Sequence, residues 1–133
     1  MPSLSLPCVL MRAGTSRGPF FLREWLPADE RERDELLIGA IGASDLLGVD
    51  GVGGGSTLTS KVAIVNRGKD GIDLDFLFGQ VLIEEARVDV TPNCGNILAG
   101  VGPFAIERGL VRASGDETRV RVRTINTGTI ADL

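Results

Sequence analysis

The sequence predicts an α+β fold, a curved and mostly antiparallel sheet wrapped around one buried central helix. Three observations predict it. Short apolar runs, mainly of Leu, Ile, Val and Ala and separated by glycine-containing turns, recur along most of the chain. One segment, residues 29–41, carries the mixed charged and apolar pattern of a surface helix. A second helical segment, from Ile97 onward, has no charge on any face until Glu107, and a helix apolar all round is buried all round. With 133 residues the chain fits one domain and can bury a core of its own.

The elements follow in order. Residues 6–11 are a short apolar run with β character, with Cys8 as a core position inside it. Residues 12–18, Arg-Ala-Gly-Thr-Ser-Arg-Gly, read as a polar turn, after which Phe20, Phe21 and Leu22 resume the apolar pattern as the second strand of a hairpin. Asp29, with Glu32 three residues on, resembles a capping arrangement, and acidic residues suit the first turn of a helix. Leu37, Ala40 and Ile41 share one face of that helix, and Gly42 is expected to stop it.

Residues 50–60 form a glycine-rich loop. Residues 61–65 then read as a strand, 67–71 as a turn, and 74–83 as a longer strand broken at Gly79. Residues 84–87 suggest a turn or bulge into a short strand at 88–90. Ile97, Val101, Phe104 and Ala105 mark the core face of the buried helix, with a kink expected at Pro103 and a stop at Gly109. Residues 119–125 alternate arginine with β-branched residues, the clearest period-2 strand of the chain.

Composition narrows the function. Net charge is −4, so the basic field that nucleic-acid binding needs is missing. The uncharged stretch around Cys94 is too short to span a bilayer, and residues 1–7 lack the basic start and apolar centre of a signal peptide, so a cytoplasmic location is expected. In a reducing compartment Cys8 and Cys94 are expected as free thiols. The chain has no histidine, which removes Ser-His-Asp and Cys-His triads and the usual His/Cys zinc sites. Acid/base chemistry near neutral pH must therefore use cysteine, lysine or a shifted carboxylate.

Three places could carry or support such chemistry. Cys94 lies in Pro92-Asn93-Cys94-Gly95-Asn96, where the buried helix begins. Free N–H groups there would draw a thiol toward thiolate and hold a substrate carboxylate. Taken alone, Cys94 equally fits a small core residue capped by Asn93. Alternation puts Lys61 on the face of Ala63 and Val65; an inward face would favour its neutral amine, whereas a strand edge would leave it in water. Arg12 and Arg17 could clamp carboxylates, or belong to a solvated loop. The loop at 51–60 lacks Walker spacing, because Lys61 comes too late after its glycines. Glu84, Glu85 and Asp89 read as a solvated acidic face.

Three stretches in order resemble one family. Met11-Arg12-Ala13-Gly14-Thr15-Ser16-Arg17-Gly18, then Gly53-Gly54 followed by Leu58-Thr59-Ser60-Lys61-Val62-Ala63-Ile64-Val65, and Asn93-Cys94-Gly95-Asn96 resemble the signatures of the methylaconitate isomerase and 4-oxalomesaconate tautomerase family, related in fold to diaminopimelate epimerase. The continuation from Ile97 to Leu110 most resembles the tautomerase branch. Two departures stand in the first motif: Ala13 where the family usually has glycine, and Arg17 where it usually has lysine.

The resemblance implies a two-lobed enzyme of which this chain is the N-terminal lobe, residues 1–133, with the second lobe absent and the substrate in the cleft between. It implies a cofactor-independent isomerase that shifts a proton on a small unsaturated di- or tricarboxylate, with Lys61 and Cys94 as the proton-transfer residues. Arg12, Thr15, Ser16, Arg17, Ser60, Asn93, Gly95 and Asn96 would hold the carboxylates. No metal and no other cofactor is implied; the partner would be the missing lobe or a second copy of the chain. Two other readings stay open: a noncatalytic lobe that binds an organic acid or a partner polypeptide, and a redox thiol protein using Cys8 and Cys94.

Overall fold

The computed structural model describes residues 7–13, 16–47, 59–82, 85, 87–91, 95–113, 115 and 117–133, with the backbone alone for 16–17, 42–47 and 59–60. Most of the glycine-rich 50–60 loop, Glu84, Thr15, Asn93 and Cys94 lie outside the described residues. Seven described strands join in one mixed sheet: β1 Val9–Ala13, β2 Ser16–Leu22, β3 Thr59–Arg67, β4 Leu74–Leu82, β5 Arg87–Asp89, β6 Arg121–Thr124 and β7 Ile130–Asp132. Three described α-helices accompany them, α1 Glu30–Leu47, α2 Gly95–Leu98 and α3 Val101–Glu107, with a short 3-10 turn at Arg23–Trp25. The class is α+β.

The order across the sheet is β1-β2-β3-β4-β6-β7, with β5 also on β4. Pairings β1–β2, β3–β4, β4–β5 and β6–β7 are antiparallel, while β2–β3 and β4–β6 are parallel. Each parallel pair needs a long crossover: α1 lies between β2 and β3, and α2 and α3 lie between β4 and β6. The crossovers settle on opposite faces. Leu37 and Ile41 of α1 pack on Phe21, Val62, Ile64 and Val81. Ile97, Val101, Phe104 and Ala105 pack on Phe20, Ala63, Val65, Phe76 and Phe78. Residues 20–22 and 62–65 thus bury both sides, which is why they read as unbroken apolar runs.

Local chemistry set several boundaries as expected. The Asp29 carboxylate accepts the Glu32 backbone N–H at 3.0 Å, capping α1. Asp70 and Gly71 both have positive φ, 53° and 85°, and Ile72 N–H donates to Lys69 O, the Asp-Gly hairpin turn between β3 and β4. Gly109, at φ 79°, ends α3 in a Schellman arrangement: Leu110 N–H donates to Ala105 O and Gly109 N–H to Ile106 O.

Other expectations give way. Much of the 12–18 segment is strand rather than loop, because Arg12 pairs with Arg17 and Ala13 with Ser16 in the β1–β2 ladder. Helix α1 continues through Gly42 to Leu47; a mid-helix glycine costs about 1 kcal/mol but leaves helical angles open. Strand β4 runs unbroken through Gly79, which sits opposite Val62 where a larger residue would press on the Val62 and Val88 side chains. Cys8 precedes β1 and is exposed rather than core, although partial desolvation raises its thiol pKa.

The apolar helix also differs from its expectation. It divides into α2 and α3 at Ala99 and Gly100, where Gly100 N–H donates to Ile97 O in a tighter turn. Pro103 is not the break. It stands in the first turn of α3, where a missing N–H costs little. Within this chain Ile97, Val101, Phe104 and Ala105 are buried, but Gly95, Asn96, Ala99 and Pro103 are exposed. One apolar side is therefore covered and the other is open.

Candidate active site

The site begins with strand register. Phe20 pairs with Ala63 in the parallel β2–β3 ladder, so two residues earlier Gly18 stands beside Lys61. A Cβ on Gly18 would collide with the Lys61 carbonyl oxygen, a close backbone approach that only glycine permits. Across β3, Lys61 pairs with Gln80, and Gln80 pairs with Asp89. On the other flank Gly18 pairs with Met11. Met11, Gly18, Lys61, Gln80 and Asp89 thus form one row across five strands.

Lys61 is half-buried. It lies on the face of Ala63 and Val65, the face that carries α2 and α3. Helix α2 is seated at the same end of the sheet, against β1 and β2. At its junction with α3, a Cβ on Gly100 would stand 2.7 Å from Phe20 Cζ and 2.9 Å from Ala13 Cβ. Gly95, the first residue of α2, follows Cys94 directly in sequence. Helix α2 therefore lies against the β1–β2 hairpin, whose second strand is the neighbour of β3 at Lys61, on the sheet face that Lys61 shares. The expected seat for Cys94 is shorter than a long helix would give. Helix α2 is a single turn, so its contribution is local N–H groups more than a macrodipole.

The other predicted residues divide by what is described. Gly95 and Asn96 are exposed at the start of α2. Arg12 is exposed on β1, on the strand face opposite to buried Ala13. The backbones of Ser16 and Arg17 pair with Ala13 and Arg12, and that of Ser60 pairs with Val81. Thr15, Asn93 and Cys94 are outside the described residues. Among the described residues no group of three or more Cys, Asp or Glu side chains could hold a metal ion.

Two polar arrangements next to this region were not anticipated. Asp89 Oδ1 accepts the Thr91 backbone N–H at 3.0 Å and the Thr91 hydroxyl at 2.7 Å. The bonds from Thr91 hold the Asp89 carboxyl below its ordinary pKa. The spacing Asp-x-Thr is a local turn signal, one that a reading of Asp89 as part of a solvated acidic face passes over. Asn126 donates through Nδ2 to the carbonyls of Phe78 (2.7 Å) and Val90, and accepts the Phe78 N–H at 2.8 Å through Oδ1. Phe78 is 48 residues away in sequence, and no local signal points to that contact.

Known proteins resemble the chain along most of its length. A family model described as "PrpF protein" matches residues 3–132. The chain is 56% identical to "Putative isomerase YbhH" of Escherichia coli strain K12 over 96% of its own length and 37% of that protein. It is 54% identical to the 4-oxalomesaconate tautomerase of Pseudomonas putida, over 98% of its own length and 37% of that enzyme. Its fold matches a crystal structure of methylitaconate-delta-isomerase with a TM-score of 0.83 and 46% identity, covering 94% of this chain and 56% of that one. The chain spans little more than a third of the length of the curated relatives named here. No described helix is long and apolar enough to cross a membrane. With the family model matched along nearly its whole length, the chain belongs to the PrpF protein family.

Proposed function

We propose that this chain is the N-terminal lobe of a two-lobed, cofactor-independent isomerase that shifts a proton on a small unsaturated di- or tricarboxylate, with Lys61 and Cys94 as the acid/base pair. One observation carries the reading. Lys61 is half-buried at the start of β3, on the sheet face that carries α2, and α2 starts at the residue after Cys94. The names of the relatives support the reaction class, since one is a 4-oxalomesaconate tautomerase and another a methylitaconate isomerase.

One member of the pair removes a proton from a carbon next to a carbonyl or conjugated carboxylate. The electron pair moves into the conjugated system as a dienolate, and the other member returns a proton at a different carbon. Substrate and product differ only in proton and double-bond position, so the step balances without a redox partner. Thr15, Ser16, Arg17, Ser60, Asn93, Gly95 and Asn96 hold the carboxylates and the developing oxyanion; Arg12, exposed on the face opposite to Ala13, stands on the side of β1 away from Lys61 and is left out of that set. The open side of α2 and α3, with Gly95, Asn96, Ala99 and Pro103 exposed, is where further structure closes the cleft and wraps the helix as in the epimerase-like fold. Water exclusion needs that second wall.

The test is solvent deuterium incorporation into 4-oxalomesaconate and 2-methylaconitate, with this chain and with a protein of the relatives' full length. Exchange in the longer protein alone identifies the chain as one lobe of the enzyme. No exchange in either refutes the isomerase reading.

A further inference from the structure

The edge of β4 is shared by two strands. Strand β6 pairs with it over Leu74–Phe76 and β5 over Gln80–Leu82, which leaves Phe78 in the gap between them. Ile125 N–H donates to Phe76 O at 2.8 Å, and there the backbone ladder of β6 ends. The Asn126 carboxamide takes the next position. It accepts the Phe78 N–H and donates to the Phe78 carbonyl, as one more residue of a strand would. The same Nδ2 also donates to the Val90 carbonyl, on the first residue past β5.

The turn that presents Asn126 is itself held. Thr124 N–H donates to Thr129 O, Gly128 N–H donates to Thr124 O with Gly128 at φ 76°, and the Thr124 hydroxyl donates to Thr129 O. Asn126 is thus a fixed three-way link between β4, the end of β6 and the chain leaving β5. One residue past Val90, Asp89 grips Thr91. Val90 lies four positions before Cys94 in sequence.

We infer that Asn126 is a positioning residue for the proton transfer, acting through its hold on Val90 where the chain leaves β5 toward the acid/base cysteine. The inference rests on the isomerase reading above. Asn126 touches no substrate in this role. It sets the exit point of β5 relative to the row that contains Lys61, since Gln80 and Asp89 belong to that row and Val90 follows them. Displacement of a reacting group by about 1 Å can cost 10²-fold in rate.

The experiment uses the full-length protein with 4-oxalomesaconate and 2-methylaconitate as probes. Asn126→Ala removes all three bonds. Asn126→Asp, a milder change, keeps the acceptor for Phe78 N–H but places carboxylate oxygen against two carbonyls. Both are expected to lower kcat by about 10- to 100-fold, with KM within roughly twofold, and to speed amide hydrogen exchange over residues 87–98 by roughly tenfold. Arg123→Gln, which breaks the pair with Asp75 elsewhere on the β4–β6 junction, serves as the control. It is expected to lower stability and leave kcat unchanged. Unchanged kcat in both Asn126 variants, or an equal kcat loss in the Arg123 control, overturns the inference. If the unmodified protein turns over neither acid, the isomerase reading itself fails. The role of Asn126 in proton transfer then falls with it, whereas in an active protein unaltered exchange over residues 87–98 overturns that role by itself.

Discussion

Replacing Gly100 by alanine tests the packing that brings α2 to the sheet, because two effects of opposite sign compete. Gly100 has φ −87° and ψ −10°, angles that alanine adopts freely. Were space available, Gly100→Ala would stabilise the protein by about 0.4–1 kcal/mol, through lower entropy of the unfolded chain. The structure leaves no space. The added methyl would stand 2.7 Å from Phe20 Cζ, 3.2 Å from Phe20 Cε2 and 2.9 Å from Ala13 Cβ. Carbon atoms rest comfortably at roughly 3.5–4.0 Å, so the Phe20 ring or the α2–α3 junction must shift by about 0.8 Å.

Phe20 is fully buried and its ring lies 5.5 Å, centre to centre, from that of Phe104, so it cannot swing into solvent. Overpacking of this kind costs about 1–3 kcal/mol. After the entropic gain is subtracted, a net loss of about 1–2 kcal/mol is expected. Urea denaturation followed by Trp25 fluorescence measures it, since Trp25 packs edge-on to Phe104 at 6.4 Å. Gly39→Ala on α1 is the matched control: nothing lies within 4 Å of its added methyl, and a gain of about 0.5–1 kcal/mol is expected. A midpoint for Gly100→Ala equal to or above that of the unmodified protein, at unchanged m, refutes the argument.

Other outcomes follow from the same geometry. Gly18→Ala sets a methyl against the Lys61 backbone carbonyl, which no rotamer change relieves, so it should cost about 3 kcal/mol or more by denaturation and lower any exchange activity with it. Hydrogen bonding from Arg121 holds the Asp132 carboxyl below its ordinary pKa. Its contribution to stability is therefore present above the unfolded value near pH ~3.9 and is lost as pH falls through the lower folded value. Asp132→Asn should flatten the acid limb of a stability–pH profile; an unchanged limb contradicts this. Lys61→Met and Cys94→Ser should each reduce deuterium exchange into the substrate by about 10²–10⁴-fold while circular dichroism is retained, and full activity in either removes that residue from the proposed pair.

The family and the strand that carries Lys61 were legible in sequence, other features less so. The order of the three motifs pointed to one family, and the match over residues 3–132 bears that out. The alternation around Lys61 assigned it the face of Ala63 and Val65, where the α2–α3 core lies. The roles of Lys61 and Cys94 remain a proposal that rests on this arrangement. Cys8 shows the opposite case, since an apolar neighbourhood suggested core and the residue is exposed ahead of β1.

The sequence by itself determined the features whose causes lie within a few residues. Asp29 caps α1, Asp70 and Gly71 turn β3 into β4, and Gly109 ends α3, because each acts on backbone groups of its own turn. Tertiary structure alone decided which strands run parallel, which face each crossover covers, and where the apolar helix breaks. Pro103 was the stronger local breaker, yet the break falls at Gly100, where a helix must approach Phe20 and Ala13 more closely than any side chain allows. The same holds for Gly18 against Lys61 and for Asn126 against Phe78 and Val90. A glycine needed for a close approach and an asparagine standing in for a strand residue look ordinary in sequence. Their partners come from distant segments, and only the folded sheet brings those segments into contact.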